Sequence, residues 1–521
     1  MTINIERKGS NMDEEQGFPE WTELGQDSGL DPLGMQRPIE VIYQSLVPGI
    51  STITLRYRYY SFFPLILKHY EEKIRHPDPE KFRSFQRRCE ALFALICTYG
   101  DRELGITGSD WAEKKLAEVV KTLGDNGTLD FTVGADANAD EKLRYLRNKG
   151  GAFGAIYATQ MSEMGLIHFP KLNQPNPNPI CSEMALKLAD ALARELGTTA
   201  DNFFEIVKAG KIAVSSLEAF TAMRPLQLKP GSEEHSLLKK ILLGKSETPS
   251  GADLMRRSTL QMLLDVTEVM GKIPPAEDVK WHWFENAGAQ TTDDAQVPQL
   301  WSLYQACDLM RISYEAILSA ALTSLESASR RRRSLGDLTA ELAGYLNATG
   351  SESWADFAKR LAGGTDAGVA RKCAQVIVGP SDPAEKLQSA FLMIAILSDK
   401  TVEAASLMEE ALGGAEYFQS LRTEMNFLER MRSNSAVEVI KEVIRERVLK
   451  RHLWVASRKF RNQKAYTFHM EPEEGVLRYR STFRPTPSSP RIDQALRFLR
   501  DINLIDENGI TPLGRAERAA A

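Results

Sequence analysis

The segment PQLWSLYQACDLMRISYEAILSAALTSL, beginning at Pro298, is apolar on nearly every face at helical spacing. A helix of that kind has no side to turn to water, so it must run through the middle of a shell of other helices. Its polar exceptions, Asp308, Arg311 and Glu315, fall at i, i+3 and i+7, along one stripe. Two readings suit such a stripe. The first is a paired charge network inside a helical bundle, with Arg56 as a further partner. The second is a catalytic carboxylate pair, which no His or Cys at ligand spacing accompanies.

The rest of the chain supplies that shell. With 521 residues there is room for two to four domains. Residues 1–35 are acidic and without sustained period, a flexible tail with Trp21 and Leu33 as docking points. Residues 36–170 read as an N-terminal helical domain. In it, Asp78 before Pro79 predicts an N-cap for a helix ending near Gly100. The repeated Asn-Pro of KLNQPNPNPI (171–180) marks a boundary, and 181–430 reads as a central helical domain. SRRRRS (329–334) reads as a solvated helix end, with phosphate contact as the alternative. No strand-helix alternation recurs, so a parallel sheet is not expected.

Five cysteines without a CxxC pair predict free thiols, and seven scattered histidines give no metal spacing. No cofactor is implied. The N-terminus has no signal-peptide core and no window of 18 apolar residues appears, so a cytoplasmic protein with no membrane contact is expected. A net charge of −5 excludes a protein that coats nucleic acid along its whole length, but leaves room for a basic patch.

In PGISTITLRYRYYSFFPLILKHYEEKI (48–74), Arg56 and Arg58 interrupt an aromatic run. The run is long enough only for a helix, with Ser51 as N-cap and Pro64 bending it. On that helix the two arginines lie roughly 200° apart, so one flat patch cannot use both. Burial against a carboxylate is the plainer outcome, and base stacking the alternative. PGISTITLRYRYYSFFPLI, together with LYQACDLMRISYEAIL, resembles an uncharacterised family of large helical bacterial proteins. Members are often encoded beside helicases, nucleases or ATPases in phage-defence loci. The resemblance implies a defence-type setting and supplies no catalytic residues.

The C-terminal part carries the functional lead. Residues 441–464, KEVIRERVLKRHLWVASRKFRNQK, hold nine Lys/Arg against two Glu. Such a local excess is what phosphate binding needs. Lys450, Arg451, Arg458, Lys459 and Arg461 are the expected contacts, with Trp454 and Phe460 anchoring the other face to the core. AYTFHMEPEEGVLRYRSTF then reads as a hairpin. The end, from Ser489 and Pro490, predicts a helix, a turn over 506–509 and a last short helix after Thr511. This order resembles the final half of a winged-helix domain, a likeness that would place Arg491, Gln494, Arg497 and Arg500 on or near the face of a recognition helix. A protein dock is the alternative use of that fold. Arg447 and His452 have the Arg-x4-His spacing that resembles HEPN-type ribonucleases, where such a pair acts on a ribose 2′-hydroxyl.

The expected whole is mainly α: a multidomain helical bundle with a small C-terminal α+β, winged-helix-like module spanning 436–521 with the basic helix. Its expected role is that of a non-catalytic subunit of an anti-phage complex. It would bind double-stranded DNA or RNA through its basic end and recruit an ATPase, helicase or nuclease. A HEPN-like ribonuclease effector and a purely structural adaptor are the rivals.

Overall fold

The computed structural model describes residues 31–170, 176–287, 296–363, 367–401, 404–414 and 418–519. Trp21 and the first half of the 171–180 boundary segment lie outside these. The fold is mainly helical with a few small sheets, every one antiparallel. Two compact units emerge. One is formed by Gly49–Thr248 and Arg497–Leu504, the other by 31–48, Pro249–Leu496 and 505–519. The expected boundary at 171–180 falls inside the first of these.

In the first unit the run after Pro48 does not become helical at Ser51. Ser51 and Thr54 close a turn on each other, and the helix spans Tyr59–His69 with Pro64 inside it. Arg56 and Arg58 therefore precede the helix instead of riding on it, and each reaches a separate carboxylate. Arg56 pairs with Glu103 at 3.0 Å and Asp501 at 2.7 Å, and its Nε donates to the Leu104 carbonyl. Arg58 pairs with Glu234 at 2.8 Å and donates to the carbonyls of Ala222 and Arg224. Arg56 is thus not part of the charge stripe of the apolar helix. Beyond the arginines an aromatic core forms. Tyr59 stacks on Tyr157 with centroids 4.6 Å apart, and Phe62 on Phe93 at 4.1 Å. The Asp78 cap is present: its carboxylate accepts from the Glu80 N–H at the start of helix Pro79–Thr98.

In the second unit the apolar helix spans Gln296–Ser327 and is buried along almost its whole length. Helices Gln36–Leu46, Ala276–Glu285 and Pro383–Lys400 pack around it. Its stripe is a closed ion network. Arg311 reaches Asp308 at 2.8 Å and Glu315 at 2.7 Å, and also donates to the Thr486 carbonyl. The Ser488 N–H donates to Asp308. Burial pushes the Glu315 carboxyl up to about 8 despite Arg311. Two carboxylates share one guanidinium here, and holding a proton on one of them relieves the excess negative charge.

The SRRRRS segment does more than end that helix. Arg332–Ser334 form a strand on Val476–Arg478, making a three-stranded sheet with the hairpin Met470–Glu473/Val476–Tyr479. The hairpin turn is Glu474 and Gly475, with φ of +50° and +84°. Positive φ at both central residues is the type I′ geometry that matches strand twist. The C-terminal helix begins at Ile492, two residues after the expected Pro490, because Arg491 is left-handed at φ +67°. A hairpin, Ile505–Asp506 on Gly509–Ile510, and helix Pro512–Ala519 complete the chain's described end.

Candidate nucleic-acid interface

Residues 436–463 form one helical run: Ala436–Glu442, a π-helical segment Val443–Leu449, then Lys450–Gln463. Lys464, left-handed at φ +58°, ends it. Val443, Ile444, Val448, Leu449, His452, Val455 and Ala456 are buried, a single stripe recurring every three to four residues. That stripe fills the core side. Trp454, two residues beyond His452 and so roughly 200° around the helix, turns outward instead.

This reverses one expectation. Trp454 and Phe460 do not anchor the helix, being 40% and 47% exposed. Phe418, 57% exposed, lies edge-on to Trp454 with centroids 5.8 Å apart. The Arg451 guanidinium lies 4.4 Å over the Trp454 ring, and Arg458 faces both Trp454 at 5.4 Å and Phe418 at 5.7 Å. Further along, Phe460 meets Tyr466, itself 54% exposed, at 6.2 Å.

The cations divide along the run. Arg445 is held by Glu442 and Glu446, Lys450 by Glu446, and Arg447 by Glu424. No acidic residue occurs between Glu446 and Glu471. Accordingly, Arg451, Arg458, Lys459, Arg461 and Lys464 pair with no carboxylate among the described residues. Arg451 and Lys459 are half-buried and bind the carbonyls of Leu33 and Asp31, so they also tie down the chain that precedes helix Gln36–Leu46. Burial, with the neighbouring Arg447 adding to it, brings the Arg451 pKa down to about 10. Arg458, Arg461 and Lys464 are exposed.

The Arg447–His452 pair does not form a joint centre. The Glu424 carboxylate takes the Arg447 guanidinium in two hydrogen bonds, from Nε at 2.9 Å and from Nη2. His452 is 0% exposed, with Nδ1 on the Pro32 carbonyl at 3.2 Å and Nε2 accepting from the His469 N–H at 3.0 Å. The latter contact fixes the proton on Nδ1. Burial, with His469 adding to it, lowers the imidazole pKa to about 4. It is a structural histidine: neutral, satisfied and out of reach of substrate.

The C-terminal helix offers little surface. Ile492, Ala495, Leu496, Phe498 and Leu499 are buried, and of its residues only Asp493 and Arg500 are exposed. Arg491 faces the Tyr43 ring at 5.5 Å, and burial raises the Asp501 carboxyl pKa, with Arg56 and, more weakly, Arg497 opposing it.

Among the described residues there is no exposed thiol and no cluster of metal ligands. All five cysteines are buried, and burial raises each thiol pKa. No group of three or more His, Cys, Asp or Glu is placed to hold a metal. A cavity of about 500 Å³ in the first unit is lined by Lys68, Arg75, His76, Glu72 and Asn178, but Lys68 is already bound to Asp190. No helix among the described residues is long and apolar enough to cross a membrane. Comparison with family models, curated proteins and solved structures gave no match.

Proposed function

We propose that the chain is a non-catalytic, nucleic-acid-binding subunit of an anti-phage defence-type complex, which holds DNA or RNA on its basic C-terminal helix and brings an enzyme partner to it. The observation that carries the binding half is the run of five cations after Glu446 with no carboxylate partner among the described residues. Arg451 and Lys459 of that run hold backbone carbonyls, but Arg458, Arg461 and Lys464 are exposed and, unlike Arg445, Arg447 and Lys450, have no carboxylate among the described residues to neutralise them. Phosphate is the ligand that five unpaired cations on one helix suit best. The defence setting and the enzyme partner rest on the family likeness alone.

The winged-helix-like end takes a supporting part in this reading. Its helix buries most of its faces, which suits packing better than a groove, and leaves Arg500 as the outermost basic residue. The ribonuclease reading is set aside because His452 has no access to a substrate.

Titration of the purified chain with oligonucleotides at two salt concentrations tests the proposal. If about five phosphates are neutralised, log affinity falls with log salt at a slope of about −3.5 on a single strand and about −4.5 on a duplex. Charge reversal at Arg458, Arg461 and Lys464 abolishes most of the affinity and leaves the melting temperature unchanged, since all three are exposed. Arg451 and Lys459 are unsuitable for that test because they hold Leu33 and Asp31. Wild-type protein without affinity for any nucleic acid at low salt, alone or with its partner subunits, would leave the adaptor role.

A further inference from the structure

Large aromatic side chains are usually withdrawn from water, because burying one stabilises a fold by more than almost any other residue. Trp454, Phe418, Phe460 and Tyr466 are all 40% exposed or more, and they form two pairs on or beside the acid-free stretch 447–470, which carries seven Lys/Arg. Arg451 and Arg458 lie against the Trp454 ring, which holds its face in place and makes its surroundings positive. The ligand that matches must offer both negative charge and flat apolar faces. A duplex offers the charge, but its base faces are hidden in its own stack. An unpaired strand offers both.

We propose that this surface is a stacking platform for single-stranded nucleic acid. One unpaired base takes the place of a guanidinium over the Trp454 ring, beside Phe418. Phe460, about 9 Å further along the helix axis and roughly 120° around it, receives another together with Tyr466, which lies just past the helix end. Arg458, Arg461 and Lys464 meet the phosphates. The inference rests on the nucleic-acid reading above and replaces its open choice of strand with one class.

The experiment uses the full chain and four fluorescent probes of equal length: oligo-dT, oligo-U, a DNA duplex and an abasic DNA strand. Either oligo-dT or oligo-U binds at least tenfold tighter than the duplex at matched salt, and the abasic strand, which keeps its phosphates, binds far more weakly than oligo-dT. Trp454→Ala weakens single-strand binding by roughly tenfold to a hundredfold, and Phe418→Ala by less. Neither changes the salt slope, since stacking releases no counterions, whereas Arg458→Glu lowers the slope. Trp454→Phe restores part of the affinity, which loss of a merely structural residue would not predict. If Trp454→Ala lowers the melting temperature, Phe418→Ala on its separate segment carries the same reading. Equal or tighter duplex binding, or single-strand affinity untouched by both aromatic substitutions, overturns the platform and leaves the nucleic-acid reading standing. No binding to any probe overturns both.

Discussion

Arginine is interleaved with aromatic residues twice in this chain, and the two segments end in opposite places. In LRYRYYSFF the arginines are buried: Arg58 is 2% exposed and closed on Glu234, and Arg56 is closed on Glu103 and Asp501. In KRHLWVASRKF, Arg458 is exposed, and its neighbours are Trp454 and Phe418. The first has two arginines and five aromatic residues in nine positions, the second four Lys/Arg and two aromatic residues in eleven. What also differs is whether carboxylates arrive from elsewhere in the fold. Where they do, the aromatic rings can close over neutralised charge and become core. Where they do not, as at Arg458, the guanidinium stays in water, and the Trp454 and Phe418 rings beside it stay there too.

The largest expected effect follows from the closed side of that contrast. Arg58→Ala leaves Glu234 buried and unpaired, and lowers the stability of its unit by roughly 3–5 kcal/mol in chemical denaturation. Arg458→Ala costs under about 0.5 kcal/mol in the same assay, as an exposed surface change. Replacing both partners with apolar residues, Arg58→Met with Glu234→Leu, recovers much of the loss, because the pair's own net worth is small beside the cost of orphaning one charge. Similar costs for Arg58→Ala and Arg458→Ala would break the distinction.

That contrast also marks how far the sequence could be read. The Asp78–Pro79 cap and the stripe Asp308–Arg311–Glu315 are local patterns, and each is present where its spacing predicts it. The hairpin at 470–479 was legible through Gly475, which takes positive φ without strain, but its turn is confined to Glu474 and Gly475 and leaves Glu471–Glu473 in the strand. The partners of Arg56 and Arg58 were not legible. They lie 47, 176 and 445 residues away, distances over which spacing carries no information. Ser51 misled because a good N-cap residue also closes a turn with Thr54. Arg332 and Arg333 looked like a solvated helix end because their strand partners come from 476–478. Trp454 is the instructive case for the candidate site. Once Val448, His452 and Val455 are taken as the buried stripe, helical geometry alone turns Trp454 outward. An apolar ring outside such a stripe was the available signal.

A second, smaller effect separates the buried face of the basic helix from its exposed one. His452 has a folded pKa near 4 against an ordinary 6.5. The unfolded chain therefore takes up a proton that the folded chain refuses between those values. Stability is full above pH 6.5 and falls as the pH drops toward 4, by about 3 kcal/mol for a displacement of this size. His469, stacked on it at 5.3 Å and lowered by burial, acts in the same direction. Glu315, raised to about 8, acts oppositely, so its share fades as the pH rises from 4.5 toward 8. The difference between wild type and His452→Gln isolates the histidine. Denaturation midpoints measured from pH 7.5 to 4.5 converge toward acid pH for this pair. For Arg458→Ala they stay parallel to wild type. Parallel curves for His452→Gln would mean that the ring is charged or reachable by water.

The smallest effect concerns what the exposed cations meet when no strand is bound. Lys459, His452 and Arg451 of the basic helix hold the backbone at Asp31, Pro32 and Leu33. The thirty residues before Asp31 contain seven acidic and two basic side chains, a formal charge of −5. On the proposed reading, these acidic residues, joined in sequence to the anchors at 31–33, compete with phosphate for Arg458, Arg461 and Lys464. Deleting residues 1–30 keeps the anchors at 31–33 and removes the competitor. Affinity for oligo-dT then rises severalfold at about 50 mM salt, and the gain disappears by about 300 mM, where the Debye length is only several ångströms. A truncation that binds no better at low salt would mean that the tail's charges do not reach the cations. A gain that survives high salt would mean that the tail covers the aromatic rings instead, placing the competition at Trp454 and not at the phosphates.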